Sequence, residues 1–285
     1  LVPGDRLTTN DADGNTIVLW EDGEPCPPAG ANFNIQQNIQ RVNRLHQTAR
    51  SMHGVTVASE ELAKYFREVH KCEEVYFFPN TVVPEDYPQP RLQPHKKVRI
   101  LWQGGMSHMI DWYPLRDALK TVAQRNPDVT FVIWGTVFPW VHSVIPAEQL
   151  ELHQWVPYDA YKPLRSIIDV DINLCPLADN IFNRCKSAIK WYESTLTPSF
   201  EATLASDVAP YHGEIEDGVT GLLYSTPDEF VEKLEILIQN AELRRDLNKA
   251  AKTWVMENRH YSVTVPKLLE WYMMLRDQQA VALGA

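Results

Sequence analysis

Glycine is scarce in this chain, 12 among 285 residues, and none falls in a G-x-G-x-x-G run or a P-loop. A nicotinamide or ATP fingerprint is therefore absent. Cysteine is scarcer: Cys26, Cys72, Cys175 and Cys185 stand apart, without the C-x-x-C or Cys/His spacing that a zinc site needs. Free thiols in a reducing compartment are expected, and with them a cytoplasmic location. Positive charge is also short. Lys and Arg number 27 against 37 Asp and Glu, a net charge of −10, so the basic face that nucleic-acid binding requires is not expected. Long apolar runs are missing too: none approaches the ~18 residues of a membrane-spanning helix. That leaves peripheral association at a membrane as the membrane role still open.

Against this acidic background one stretch, FNRCKSAIKWYE from Phe182 to Glu193, gathers Arg184, Lys186 and Lys190 ahead of a single carboxylate. A local cation cluster in an acidic chain points to a small anionic ligand. The stretch follows an apolar strand, IDVDINLCPL, and opens a helix near Ser187, where backbone N–H groups meet a phosphate. Asn183, Arg184 and Lys186 occupy the loop. Lys186, Lys190 and Glu193 are spaced at four and three residues, so on a helix they share one face. Glu193 can then accept hydrogen bonds from sugar hydroxyls, and the set reads as a nucleotide-sugar site. The plain alternative is a solvated Lys190–Glu193 ion pair, worth little.

Residues 1 to about 32 are rich in Gly, Pro, Asp and Asn, a turn-forming composition interrupted by one strand-like run, TIVLW. Ile35, Ile39, Val42, Leu45 and Ala49 then recur at helical steps. GVTVAS predicts a strand, Ser59 an N-cap for a helix reaching His70, and VYFFPN a second strand. Pro84–Pro94 is the linker, since its prolines cannot sit inside a helix or central strand. From Lys96 strands alternate with helices: VRILWQGG, a helix over Tyr113–Arg125, TFVIWG, LELHQWVP, a helix over Ala160–Ser166, DVDINLCPL, TLASDVAPY and GVTGLLY. This alternation predicts an α/β domain with a doubly wound parallel sheet. Helices over Pro227–Gln239 and Ala241–Glu257 follow, and a last one from about Val265 to Gln279. Division into 1–92, 93–263 and 264–285 is expected.

Open parallel sheets bind ligands beyond the carboxyl ends of their strands. Gly104 and Gly105, Gly135, Val156 and Pro157, and Asp179–Lys186 all fall there. In QGGMSHMID the glycine pair lets backbone approach a pyrophosphate or sugar, with Ser107 and His108 as polar walls; an ordinary tight turn is the alternative. His108 can donate a hydrogen bond without titrating. His142, His153 and His212 are weaker candidates. Asp169 and Asp171 resemble a metal-holding pair, but alternation puts them at the start of a strand, the edge opposite the ligand loops. No metal is expected.

With these residues in view the chain resembles a GT-B-fold glycosyltransferase of the retaining group 1 family (family 4). GVTVASEELA and VYFFPNTV resemble the close of the family's N-terminal domain. WQGGMSHMIDW, DVTFVIWG, WVPYDAYKPLRSIIDVDINLCPL, FNRCKSAIKWYE, LASDVAPY and EDGVTGLLY resemble its C-terminal domain in order and spacing. The resemblance implies a hexosyltransferase that takes a nucleotide-diphosphate sugar, such as a UDP- or GDP-sugar, in the C-terminal domain. The sugar would pass with retention, without metal or other cofactor, to a sugar, lipid or protein acceptor. By position Glu193 corresponds to the glutamate that bonds the donor ribose, and Gly104 and Gly105 to the glycine loop. Lys186 and Lys190 are the candidates for diphosphate charge, and Val156 with Pro157 for the base pocket. SHMIDW stands where the family has an Arg/Lys pair. If Glu193 is the second glutamate of the family's E-x7-E pattern, the first falls on Cys185; Glu201 keeps that spacing beyond Glu193, but Pro198 interrupts the helix between them. The segment before Lys96 is short for a full α/β domain, whose common size is roughly 100–150 residues, so a reduced or incomplete N-terminal domain is expected, with the last helix returning to it. A nucleotide-sugar epimerase and a non-catalytic nucleotide-sugar-binding module are the competing readings.

Overall fold

The computed structural model describes residues 6–10, 16–21, 24–25, 35–93 and 95–282. Strands β1 (Arg6–Asn10), β2 (Thr16–Glu21) and β3 (Glu24–Pro25) form an antiparallel sheet in that order. Composition alone predicts one strand here. Two paired strands stand there instead, with Asn10 opposite Thr16. Helix α1 (Ile35–Ser51), strand β4 (Val55–Val57), helix α2 (Glu60–Glu68) and strand β5 (Val75–Phe77) follow, β4 and β5 pairing in parallel. Ser59 caps α2, its hydroxyl accepting from Leu62 N–H at 3.2 Å. Ala49, Val57, Ala63, Cys72 and Val75 make a small core.

The main sheet contains β6 (Val98–Gly104), β7 (Val129–Gly135), β8 (Leu150–His153), β9 (Ile172–Cys175), β10 (Ala202–Ser206) and β11 (Leu222–Tyr224). Its order is β11-β10-β9-β6-β7-β8 and all its pairs are parallel. Helices α3 (Met109–Trp112), α4 (Arg116–Arg125), α5 (Val141–Val144), α6 (Tyr158–Arg165), α7 (Ile181–Arg184), α8 (Ile189–Ser194), α9 (Pro227–Gln239) and α10 (Ala241–Arg259) punctuate the strands or follow them. The single helix expected over Tyr113–Arg125 starts instead as a 3-10 turn, Tyr113–Leu115, whose first turn contains Pro114. Every residue of β9 and β10 is buried, as both faces of a covered parallel sheet require. On one face Ile100, Trp102, Phe131 and Ile133 pack with Leu119 and Leu234. On the other, Leu101, Val132 and Trp134 pack with Tyr161 and Leu164 of α6. Each fully buried leucine or isoleucine contributes about 1.5–3 kcal/mol.

The order of the strands fixes where the sheet opens. The chain winds outward from β6 through β7 to β8, then crosses back to lay β9 on the other side of β6. Between β6 and β9 lies the switch point, where the loops beyond the two strands diverge and leave a crevice.

Helix α11 (Tyr261–Ala282) begins earlier than its apolar period suggests, because His260 caps it: its carbonyl accepts from Thr264 N–H at 3.2 Å and its Nδ1 from Ser262 N–H at 3.2 Å. Trp271 stacks on Tyr76 of β5 with ring centroids 5.2 Å apart. A Cβ on Gly54 would lie 2.6 Å from Trp271 and 2.7 Å from Leu275. Only glycine lets the helix come this close.

Candidate functional site

Strands β6 and β7 both end on glycine, with Gly104 paired to Gly135 in register. Gly135 has φ of +107°, and a Cβ there would meet the Gly104 carbonyl at 2.5 Å, so no other residue fits. The bare backbone forms the floor of a cavity of about 340 Å³. Trp134, Trp155, Tyr158 and Tyr161 give it an aromatic wall, while Ile189, Lys190 and Glu193 of α8 face them. Trp155 and Tyr158 are 69% and 79% exposed, so both rings have faces open to solvent at the mouth of the cavity.

The cationic side is organised around Asp111, whose side chain is wholly buried. Its Oδ1 accepts from Ala178 N–H at 2.9 Å and Asn183 Nδ2 at 2.6 Å, both beyond β9. Its Oδ2 lies 2.7 Å from His108 Nδ1 and 3.9 Å from Lys186 Nζ. Burial opposes ionisation of Asp111, yet the hydrogen bonds from His108, Ala178 and Asn183 prevail and hold its carboxyl below the ordinary range. Burial lowers the His108 imidazole, against the Asp111 bond and with the help of Lys190 and Lys186. Lys190 Nζ stands 3.3 Å from His108 Nε2. Burial brings its ammonium down to about 8 and also lowers Lys186. Lys186 Nζ is buried with no hydrogen-bond partner, over the Phe182 ring at 4.7 Å.

Glu193 is held by two phenols, Tyr87 donating to Oε1 and Tyr161 to Oε2, each at 2.9 Å. Burial raises its carboxyl while the two phenols pull the other way. Each oxygen keeps a lone pair for a further donor. Behind it the fully buried Arg165 pairs with Glu201, which also accepts from Thr197 at 2.5 Å. Glu201 is thus turned into the core, engaged with Arg165.

Gly104, Val156, Lys190 and Glu193 line the cavity. Gly105 lies against Trp155, Ser107 is exposed in the 3-10 turn that ends on His108, and Pro157 caps α6 at the surface. Asn183 is buried under Asp111, and Ser187 accepts from Asn80 Nδ2 at 2.7 Å. Helix α8 starts at Ile189, so Lys186 sits in the turn before it, not on its face. Arg184 points to solvent, paired with Asp179 at 2.6 Å. His153 and His212 are occupied by Glu151 and Asp207, each at 2.7 Å. Asp169 and Asp171 lie at the amino edge beside His95, at 3.4 and 3.6 Å. Among the described residues no cluster of three or more His, Cys, Asp or Glu is arranged to hold a metal ion. Sequence reasoning missed Asp111, Tyr87 and the aromatic wall. Tyr158 and Tyr161 carried a readable signal, three residues apart in WVPYDAY just beyond a strand end.

The sequence pattern of the family described as glycosyl transferase-like matches residues 114–270. The chain belongs to that family. Among curated proteins none matches it. The fold of this glycosyltransferase-family chain is GT-B, shared with HepE of Anabaena in complex with UDP-glucose at a TM-score of 0.65 and 14% identity, covering 85% of this chain and 68% of that one. Sucrose-phosphate synthase of Thermosynechococcus elongatus aligns with a TM-score of 0.63 and 13% identity over 86% and 64% of the two chains. TarM aligns with a TM-score of 0.59 and 15% identity over 81% of this chain and 45% of TarM. The glycosyltransferase-family chain thus spans about half the length of TarM. No helix among its described residues is long and apolar enough to cross a membrane.

Proposed function

We propose that this chain binds a nucleotide-diphosphate sugar in the cavity beyond β6 and β7 and transfers its hexosyl group with retention, without a metal, as in family 4. The observation that carries this reading is the cavity itself. Bare glycine backbone, a lysine, a glutamate and exposed aromatic rings converge on one space of about 340 Å³, and each matches one part of such a donor. A base stacks on Trp155 or Tyr158 beside Val156. Ribose hydroxyls donate to Glu193. The diphosphate meets Lys190, with Lys186 nearby, and the departing oxyanion gains more from these fixed cations in the transition state than before it. Relatives of this fold crystallise with UDP-glucose and, in a mutant of S. aureus TarM, with Fondaparinux, alpha-GlcNAc-glycerol and UDP.

Calorimetric titration with UDP, GDP and ADP tests the site, and a panel of UDP- and GDP-hexoses follows. Saturable binding of one diphosphate, with release of that diphosphate from its sugar in EDTA, is the expected result. Binding without turnover against any acceptor leaves a nucleotide-sugar-binding module. Inversion at the anomeric carbon of the product, read by NMR, removes the assignment to family 4.

A further inference from the structure

Asp111 accepts four donors or charges from two loops, yet it does not line the cavity. Its oxygens are distinguishable. Ala178 N–H and Asn183 Nδ2 both donate to Oδ1, so Oδ2 is left for His108 Nδ1 at 2.7 Å. A carboxylate only accepts, so the proton between them belongs to Nδ1. Neutral His108 then has a lone pair on Nε2, and 3.3 Å away stands Lys190 Nζ, which only donates. The direction of every bond in the row is thereby fixed: Lys190 to His108, His108 to Asp111. One of the three ammonium hydrogens is held against His108, and the lysine swings less about its long stem. The other two are left for the cavity that Lys190 lines.

We propose that Asp111 and His108 are positioning residues that aim the Lys190 ammonium at the diphosphate of the donor. This rests on the donor-site reading above. It also accounts for SHMIDW in the glycine loop: the loop supplies no second cation, but an acceptor row that orients the cation contributed by α8. Because Asp111 also ties the loop beyond β6 to the loop beyond β9, the row spans the switch point of the sheet. The other charges near Lys190 are Lys186 on the far side of Asp111 and the Glu193 carboxylate one helical turn on, with the buried Cys175 thiol beneath.

Asp111→Asn reads out this arrangement. Ala178 and Asn183 demand an oxygen at the Oδ1 position, so the amide nitrogen must face His108. Its N–H bonds then force Nδ1 to accept, the proton moves to Nε2, and that N–H points at Lys190. In 15N-histidine-labelled protein, the His108 resonances, assigned by their loss in His108→Gln, are expected to report the Nδ1–H tautomer in the wild type and Nε2–H in Asp111→Asn. Affinity for UDP is expected to fall about 10–100-fold, the range found when residues that orient metal ligands are replaced, with the melting temperature little changed. His108→Gln, whose amide oxygen can take the place of Nε2, keeps most of the affinity, and His108→Leu loses it as Asp111→Asn does. An Nε2–H tautomer in the wild type overturns the proposal, as does wild-type UDP affinity in Asp111→Asn. Failure of the wild type to bind any nucleoside diphosphate removes the donor-site reading, and this proposal with it.

Discussion

The two edges of the main sheet treat their charged groups in opposite ways. At the amino edge Arg99 meets Glu151 in a two-pronged pair at 2.6 and 2.7 Å and gives a third bond to the Asp169 carbonyl. Asp171 accepts from Arg99 N–H at 2.9 Å and Arg244 at 3.1 Å. Both arginines there have a carboxylate partner. At the carboxyl edge, among the described residues, Lys186 Nζ has no hydrogen bond and Lys190 Nζ is bonded to an imidazole, while the Asp111 carboxylate beside them is spent on backbone, amide and imidazole donors. Arginines in matched pairs cement a strand edge, since a planar fork satisfies a carboxylate completely. Lysines left short of partners next to a cavity are costly unless an anion completes them. The contrast separates what holds the sheet together from the charges that the proposed donor site would use.

The comparison breaks most sharply if the lysine is removed. Lys190→Met is expected to cost about 3 kcal/mol in UDP binding, the upper range for a charged hydrogen bond, while leaving the protein at least as stable, because a buried ammonium goes with it. Calorimetry against UDP and a melting curve on the same sample check both parts. Arg244→Met is the mirror experiment. It removes the bonds to Asp171 Oδ1 and to the carbonyls of Leu237 and Ile238, so about 2 kcal/mol of folding stability should go, with UDP affinity as in the wild type. Chemical denaturation reads the first and calorimetry the second. A loss of affinity in Arg244→Met would mean that the edges are not separate.

Glu193→Ala sharpens the picture within the ligand edge. A loss of about 1–2 kcal/mol in UDP affinity is expected, and it should shrink when the nucleotide lacks ribose hydroxyls. An equal loss with the deoxy nucleotide would reject the ribose contact. Trp155→Ala is smaller, about 1 kcal/mol if one base face rests on the indole, and it should affect UDP but not inorganic pyrophosphate.

How much of this was legible in the sequence follows from how local each feature is. Gly104, Lys190 and Glu193 sit at a strand end or on one helix, and period and spacing place such residues. The six strands are legible for the same reason. Asp111 was not, because its partners Ala178 and Asn183 lie 67 and 72 residues away and are neighbours only because β9 crosses back to pair with β6. Tyr87 was hidden likewise: it lies 106 residues from Glu193, in a Pro-rich stretch that reads as a linker. Lys186 was placed on a helix face by its spacing, but the turn closing α7 intervenes and α8 starts later. Local pattern finds the groups, and topology decides which of them meet.

The most specific expected effect is a pH dependence. With its ammonium brought down to about 8 from the usual 10.5, Lys190 loses its proton between pH 7 and pH 9, and if only the ammonium holds the diphosphate, UDP affinity falls by at most about tenfold over that window. The contribution of Lys190 to stability has the opposite sign. Between about 8 and 10.5 the unfolded chain binds a proton that the folded chain does not, so folding gains from this residue as pH rises. His108 is lowered and has already lost its charge below the window, and Cys175 is pushed up to about 11 by burial, beyond it. Lys186 is the second lysine of the site that burial lowers. Affinity measured across the window should therefore keep its slope in Lys186→Met and become flat in Lys190→Met. The reverse pattern would move the diphosphate from the lysine on α8 to the one in the turn before it.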